Sequence, residues 1–184
     1  HKLVLGKSGD GGGRHNPVLG DPVGRAGGGG GRRNPAYSDG VIYAAGDTGR
    51  YSALDATDGS VLWTSELETG DQTLNPVVTP DLLIATWVNG PMNALDLTTG
   101  QKIWSVDGPG AYFSPHASAT AVYGIARDLT ARIAYHLETG EELGRVDAEG
   151  LGGVAAISGE TLVFGGVDDP SVIRSFGPGE GDVI

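Results

Sequence analysis

The residues of this chain that could bind a metal ion are aspartates at the start of short glycine turns. Asp55-x-x-Asp58-Gly59 has a spacing similar to that of the oxygen ligands in a calcium loop, and Asp96 has the same place in a second turn. A carboxylate at this point can also accept hydrogen bonds from the N–H groups of its own turn, as Asp commonly does. The turn explains the position without a ligand, so we predict structural aspartates and no metal site.

Other catalytic patterns are weak or absent. Gly6-Lys7-Ser8 resembles the end of a phosphate loop, but the glycine required five residues earlier is replaced by His1. His15, His116 and His136 do not have the spacing of metal ligands. The chain has no Cys, which excludes disulfides, thiol catalysis and thiolate metal sites. The sequence therefore predicts no catalytic residue.

The aspartates belong to an eleven-residue block that is repeated along the chain. The block occurs at Ala53–Trp63 and Ala94–Trp104, with a weaker copy at Ala134–Gly144 and a remnant at Ser175–Ile184. Its turn glycines are 41, 40 and 41 residues apart, at Gly59, Gly100, Gly140 and Gly181. A period near forty that carries only strand signals is typical of propeller blades.

We therefore predict an all-β fold, a partial β-propeller of four-stranded antiparallel blades with repeats of about 40 residues. Residues 34–184 are predicted to hold three complete blades and a truncated fourth, so we expect a fragment of a longer repeat protein. The lead-in Asn75-Pro76-Val77-Val78 matches Asn34-Pro35-Ala36-Tyr37. Residues 1–33 are Gly-rich, either a connector or the remnant of a decayed blade.

The formal charge of −11 is unevenly distributed along the chain. Residues 1–33 carry +4 and the remainder carries −15. An acidic body argues against nucleic acid as a partner. No apolar run is long enough to span a bilayer, and no signal peptide is recognisable.

The pattern Ala-x-Asp-x-x-Thr-Gly-x-x-x-Trp resembles the tryptophan-docking repeat of the pyrroloquinoline-quinone (PQQ) enzyme family. One block matches at every position, namely Ala94, Asp96, Thr99, Gly100 and Trp104. The first block has Asp58 in place of Thr and keeps Ala53, Asp55, Gly59 and Trp63. The third has His136 and Gly144 in place of Asp and Trp, and keeps Ala134, Thr139 and Gly140.

This resemblance implies a propeller in which the docking Trp packs between neighbouring blades. The family includes quinone-dependent dehydrogenases, which hold calcium and the quinone near the axis and typically carry an adjacent Cys pair. It also includes cofactor-free propellers, among them outer-membrane assembly lipoproteins and sensor ectodomains. Because this chain has no Cys, we expect the cofactor-free branch, a scaffold that binds a protein or a ligand. The resemblance also implies an extracytoplasmic (periplasmic or secreted) location. The alternatives are part of a PQQ- and calcium-dependent alcohol or sugar dehydrogenase, and an extracellular sensor domain.

A binding surface is predicted on one face of the propeller. In an up-and-down blade, the loop before strand one and the loop between strands two and three emerge on the same side. Aromatic and charged groups gathered there could bind a protein or a small ligand, or they could be solvated loop residues. The candidates are Trp87, Asn89, Tyr112, His116, Arg127 and Asp128.

Overall fold

The computed structural model describes residues 34–46, 49–67, 72–107, 115–126, 128, 130–147, 155–165 and 173–178. The Gly-rich segment 1–33, Tyr112, Arg127 and Gly181 lie outside these residues. The described residues form sixteen β-strands and no helix. This confirms the predicted all-β fold.

The strands form four antiparallel sheets in chain order, here called blades 1 to 4. Blade 1 consists of β1 (Ala36–Ser38), β2 (Val41–Ala45), β3 (Arg50–Asp55) and β4 (Val61–Glu66). Blade 2 consists of β5 (Gln72–Thr73), β6 (Val77–Val78), β7 (Leu82–Val88), β8 (Met92–Asp96) and β9 (Lys102–Val106). Blade 3 consists of β10 (His116–Ala117), β11 (Ala121–Ile125), β12 (Ala131–His136) and β13 (Glu142–Asp147). Blade 4 consists of β14 (Ala155–Ser158), β15 (Thr161–Gly165) and β16 (Ile173–Phe176).

The turn between the third and fourth strands is built in the same way in blades 1 to 3. A bulge precedes each turn, at Ala53/Leu54, Ala94/Leu95 and Ala134/Tyr135. The turn glycines have φ values of 76°, 71° and 72°, at Gly59, Gly100 and Gly140 respectively. Only Gly adopts this backbone without steric cost, which explains why it is repeated at this point.

The core lies between the blades, so blades 2 and 3 bury side chains on both of their faces. Tyr43, Tyr51 and Trp63 of blade 1 pack with Leu83 and Leu95 of blade 2. A second cluster joins blades 2 and 3, and a third joins blades 3 and 4. Most of the apolar surface is therefore buried by stacking one blade on the next.

The tryptophans of β4 and β9 lie on the turn of the following blade. The indole Nε1 of Trp63 donates to the Leu97 carbonyl at 3.0 Å, and that of Trp104 donates to the Leu137 carbonyl at 2.9 Å. Each ring also covers a turn glycine. A Cβ built on Gly100 would lie 2.5 Å from Cε3 of Trp63, and one built on Gly140 would lie 2.8 Å from Cδ2 of Trp104.

Blade 3 has Gly144 where a third tryptophan would stand, and its contact with blade 4 is made differently. Phe164 and Phe176 of blade 4 supply the aromatic surface. The Glu160 carboxylate accepts hydrogen bonds from the hydroxyls of Ser118 at 2.6 Å and Thr120 at 2.7 Å. These bonds lower the pKa of Glu160. A charged hydrogen-bond acceptor thus anchors blade 4 on the turn between β10 and β11.

Candidate binding surface

The turn aspartates point their carboxylates at their own turns. Oδ1 of Asp96 accepts bonds from the Thr98 N–H at 3.0 Å, the Thr99 N–H at 2.7 Å and the Thr99 hydroxyl at 2.8 Å. The bonds from Thr99 and Thr98 lower the Asp96 pKa, and Asp55 accepts from the Thr57 N–H at 2.7 Å. In the described residues, no three His, Asp or Glu side chains are grouped to hold a metal ion. The carboxylates of Asp55 and Asp96 thus stabilise the turns in which they stand.

An open groove of about 510 Å³ lies between the end of β9 and blade 3. The buried side chains of Ile133 and Tyr135 on β12 supply its apolar surface. The rest of the wall consists of Ala126 and four charged residues, Asp107, Asp128, Glu142 and Arg145. The groove thus combines an aromatic ring with three carboxylates and one guanidinium group.

The charges in this groove are arranged around one ion pair. Arg145 binds Glu142 through two parallel bonds of 2.8 Å, from Nε to Oε1 and from Nη2 to Oε2. This pair lowers the pKa of Glu142 and raises that of Arg145. Burial, followed by the negative charge of Glu142, raises the pKa of Tyr135, so its hydroxyl keeps its proton at neutral pH. With Asp107 and Asp128 added, carboxylates outnumber cations and the groove is acidic.

Asp128, one of the predicted binding residues, lines this groove. Its carboxylate is exposed and accepts bonds from the Thr130 N–H at 3.1 Å and the Thr130 hydroxyl at 2.6 Å. These bonds lower the Asp128 pKa. The loop between β11 and β12 therefore presents a fixed negative charge at the groove.

Asn89 and His116 lie outside the groove lining. Asn89 is exposed in the turn after β7, with a positive φ of 55°. His116 begins β10 and is partly buried. Burial, and then the charge of Arg132, lowers the His116 pKa, although a hydrogen bond to the Ala155 backbone acts in the opposite direction. The histidine is therefore neutral at pH 7.

The prediction that Trp87 projects from a loop on this face was wrong. The second strand of blade 2 continues to Val88 instead of ending near Ala85, so Trp87 lies inside β7. Its side chain is only 1% exposed and packs edge-on against Tyr51, with ring centroids 5.4 Å apart. Trp87 belongs to the core between blades 1 and 2.

Of the seven residues that line the groove, only Asp128 was predicted from the sequence. The polar residues that were not predicted are Asp107, Tyr135, Glu142 and Arg145. One signal was present: Tyr135 stands where the other repeats have Leu54 and Leu95. A tyrosine at a repeated leucine position adds a hydroxyl to a buried site, and such hydroxyls need a polar neighbour. Glu142 and Arg145 carry no comparable signal, because surface ion pairs are common on strands.

The stacked sheets and their tryptophan contacts define a β-propeller built of PQQ-like blades. A family model described as "Outer membrane protein assembly factor BamB", of the PQQ-repeat type, matches residues 13–131. This is more than half of the chain, and the chain therefore belongs to this PQQ-like repeat family. No curated protein sequence gives a match.

Solved structures share the fold. BamB from Moraxella catarrhalis has a TM-score of 0.58 at 21% identity, over 80% of this chain and 44% of BamB. The computationally designed protein Ika8 has a TM-score of 0.65 at 19% identity, over 82% and 46%. A quinohemoprotein alcohol dehydrogenase from Pseudomonas putida HK5 has a TM-score of 0.59 at 19% identity, over 82% and 33%. The chain thus spans less than half the length of these three proteins. Among the described residues, no helix is long and apolar enough to cross a membrane.

Proposed function

We propose that this chain is a non-catalytic PQQ-like propeller scaffold that binds a protein or a small ligand in the groove between blades 2 and 3. The observation that carries the proposal is the groove itself. It places the Tyr135 ring beside the carboxylates of Asp107 and Asp128, on elements of two blades. A groove shared by two stacked blades is held in shape by the core between them.

The chemistry of the groove favours a partner that carries a positive charge next to an apolar group. Asp107 and Asp128 supply negative charge, and Glu142 already shares its charge with Arg145. Ile133 and Tyr135 supply apolar contact area. A Lys or Arg side chain beside an aliphatic or aromatic residue would satisfy both parts of the lining.

The proposal includes no cofactor and an extracytoplasmic location. Support for the location comes from the family, whose description names an outer-membrane assembly factor. The alternative, part of a PQQ- and calcium-dependent dehydrogenase, is favoured by the structural similarity to the alcohol dehydrogenase. In the described residues, the turn aspartates are engaged with their own N–H groups and do not support that alternative.

The groove is tested by selecting displayed random peptides on the chain and comparing two charge reversals. Asp128→Lys changes the groove, and Asp58→Lys is the matched control, since Asp58 is also exposed and accepts a bond from the N–H two residues on. We expect selected peptides to be basic and to lose about tenfold or more in affinity on Asp128→Lys alone. Equal affinity for both variants would contradict the proposal.

The enzyme alternative is tested by titrating the chain with PQQ and calcium and then assaying dye reduction with alcohols and sugars. The proposed scaffold gives no saturable quinone binding and no turnover. Tight quinone binding accompanied by turnover would replace the scaffold with the dehydrogenase.

A further inference from the structure

The groove between blades 2 and 3 already holds one cation, the guanidinium group of Arg145. Its Nε and Nη2 each donate to a different oxygen of the Glu142 carboxylate, at 2.8 Å in both cases. Two parallel bonds of this kind match the planar fork of a guanidinium group to a carboxylate. The ion pair of Arg50 and Glu66 in blade 1 is made differently, through a bond of 2.7 Å from Nη2 to Oε1. Glu142 thus has the geometry of a guanidinium acceptor.

The neighbours of this ion pair are groups that also favour a guanidinium ion. Arg145 stands opposite Ile133, and Glu142 stands opposite Tyr135, across β12 and β13. Side chains paired in this way lie next to each other on the sheet, and guanidinium groups pack well on aromatic rings. Hydrogen bonds to Glu142 and the charge of that carboxylate raise the pKa of Arg145, and the charge of Asp128 acts in the same direction. Two carboxylates and one ring therefore surround the position of the cation.

Arg145 is held in this position only weakly. Its side chain is 55% exposed, and that of Glu142 is 39% exposed. Exposed ion pairs contribute little to stability, because water screens the charges and both side chains lose conformational freedom. Arg145 can therefore leave Glu142 for solvent at a small cost. An arginine of a partner in its place would form the same two bonds, and the residues beside that arginine would contact the apolar wall of the groove.

We propose that Glu142, Asp128 and Tyr135 form an arginine subsite of the groove, and that Arg145 occupies this subsite as an internal competitor until an arginine of the partner displaces it. The inference deepens the proposed function and rests on it, because it names the side chain that the partner inserts. It also predicts a preference for arginine over lysine. An ammonium group has no planar fork, so it cannot form both parallel bonds to Glu142.

The first test removes the competitor and supplies small cations in its place. Ethylguanidinium and ethylammonium are titrated into the Arg145→Ala chain, and the carboxylate signal of Glu142 is followed by carbon NMR. We expect a saturable shift with ethylguanidinium, at an affinity about tenfold higher than that of ethylammonium, and weaker binding of ethylguanidinium to the wild type. The absence of a saturable shift, equal affinities for the two cations, or equal affinities of the two chains would overturn the proposal.

The matched control is Arg50→Ala, which removes the same charge from an exposed ion pair outside the groove. The Arg50 side chain is also 55% exposed, so both variants should fold, which circular dichroism checks. We expect Arg50→Ala to bind ethylguanidinium at Glu142 as the wild type does. A gain as large as that of Arg145→Ala would show that net charge alone is responsible, and this would refute the arginine subsite.

Peptides separate this inference from the proposed function. The blocked tripeptides Leu-Arg-Leu and Leu-Lys-Leu are titrated into the wild type and into Arg145→Ala. We expect Arg145→Ala to bind the arginine peptide about tenfold more tightly than the wild type does, with a smaller gain for the lysine peptide. Equal gains would overturn the arginine subsite and leave the proposed function in place. Binding of ethylguanidinium at Glu142 without binding of either tripeptide or of any selected peptide would support the subsite and refute the proposed peptide binding.

Discussion

The packing of Trp63 on Gly100 makes a quantitative prediction for Gly100→Ala. The new methyl group would lie 2.5 Å from Cε3 and 2.6 Å from Cδ2 of the indole, whereas carbon atoms in contact are normally about 3.5–4.0 Å apart. The ring cannot simply rotate away, because its Nε1–H is bonded to the Leu97 carbonyl at 3.0 Å. Either the indole or the turn must therefore move.

Two costs add in this variant. Alanine in the left-handed region that Gly100 occupies, with φ at 71°, costs about 1–2 kcal/mol. Forcing an extra methyl group into a packed site costs about 1–3 kcal/mol. We therefore expect Gly100→Ala to lower the free energy of unfolding by about 2–5 kcal/mol.

Gly59→Ala is the matched control, since Gly59 has nearly the same φ, 76°, and no described atom within 4 Å of its Cβ. It should cost only the backbone part, about 1–2 kcal/mol. The measurement is urea unfolding followed by far-ultraviolet circular dichroism, which monitors the loss of the strands. The difference between the two variants, about 1–3 kcal/mol, isolates the contact with the indole.

A double variant tests the cause of that difference. With Trp63→Leu in place, the ring is gone, and Gly100→Ala should cost no more than Gly59→Ala does. Equal costs for Gly100→Ala and Gly59→Ala in the parent chain would refute the argument, because the indole would then contribute nothing at Gly100. An undiminished cost of Gly100→Ala in the Trp63→Leu background would refute it as well.

Three further predictions concern polar contacts. Trp104→Phe leaves the buried Leu137 carbonyl without its donor, so we expect a loss of about 1–3 kcal/mol in urea unfolding; an unchanged unfolding midpoint would contradict this. Hydrogen bonds lower the pKa of Glu160 below its ordinary 4.5, so its carboxylate stabilises the fold above that pH and loses this effect as pH falls. The stability difference between wild type and Glu160→Gln, measured by thermal unfolding, should therefore be larger at neutral pH than at about pH 3. Asp96→Ala removes the acceptor of three turn bonds and should lower stability by about 1 kcal/mol, while added calcium should leave the wild-type melting temperature unchanged.

The features that could be predicted from the sequence are those that a single repeat determines by itself. The turn at Gly100 needs a positive φ, and the strands on either side alternate polar and apolar residues. The sequence of Ala94–Trp104 alone therefore predicts a hairpin. Copies of that hairpin 40 or 41 residues apart then predict the blades. The fold could be predicted because each blade repeats the same hairpin sequence.

The groove could not be predicted, because its wall comes from separate parts of the chain. Asp107 follows the outer strand of blade 2, and Tyr135 lies near the end of the third strand of blade 3. Which of these side chains meet depends on how the blades stack. The error at Trp87 has the same origin. Two short strands, β5 and β6, pair along β7 and extend it through Trp87, which no property of the local sequence indicates.

The contact between blades 3 and 4 shows which part of the docking motif is interchangeable. Blade 3 has Gly144 in place of the tryptophan, and the apolar area comes from Phe164 and Phe176 of the following blade. The polar contact comes from Glu160, whose carboxylate accepts hydrogen bonds from Ser118 and Thr120 in the turn between β10 and β11 of blade 3. An indole combines a large apolar surface with one donor, and here these two roles are divided between phenylalanines and a carboxylate. An interface between blades therefore requires apolar area and one directional polar bond, and the residue that supplies them can change.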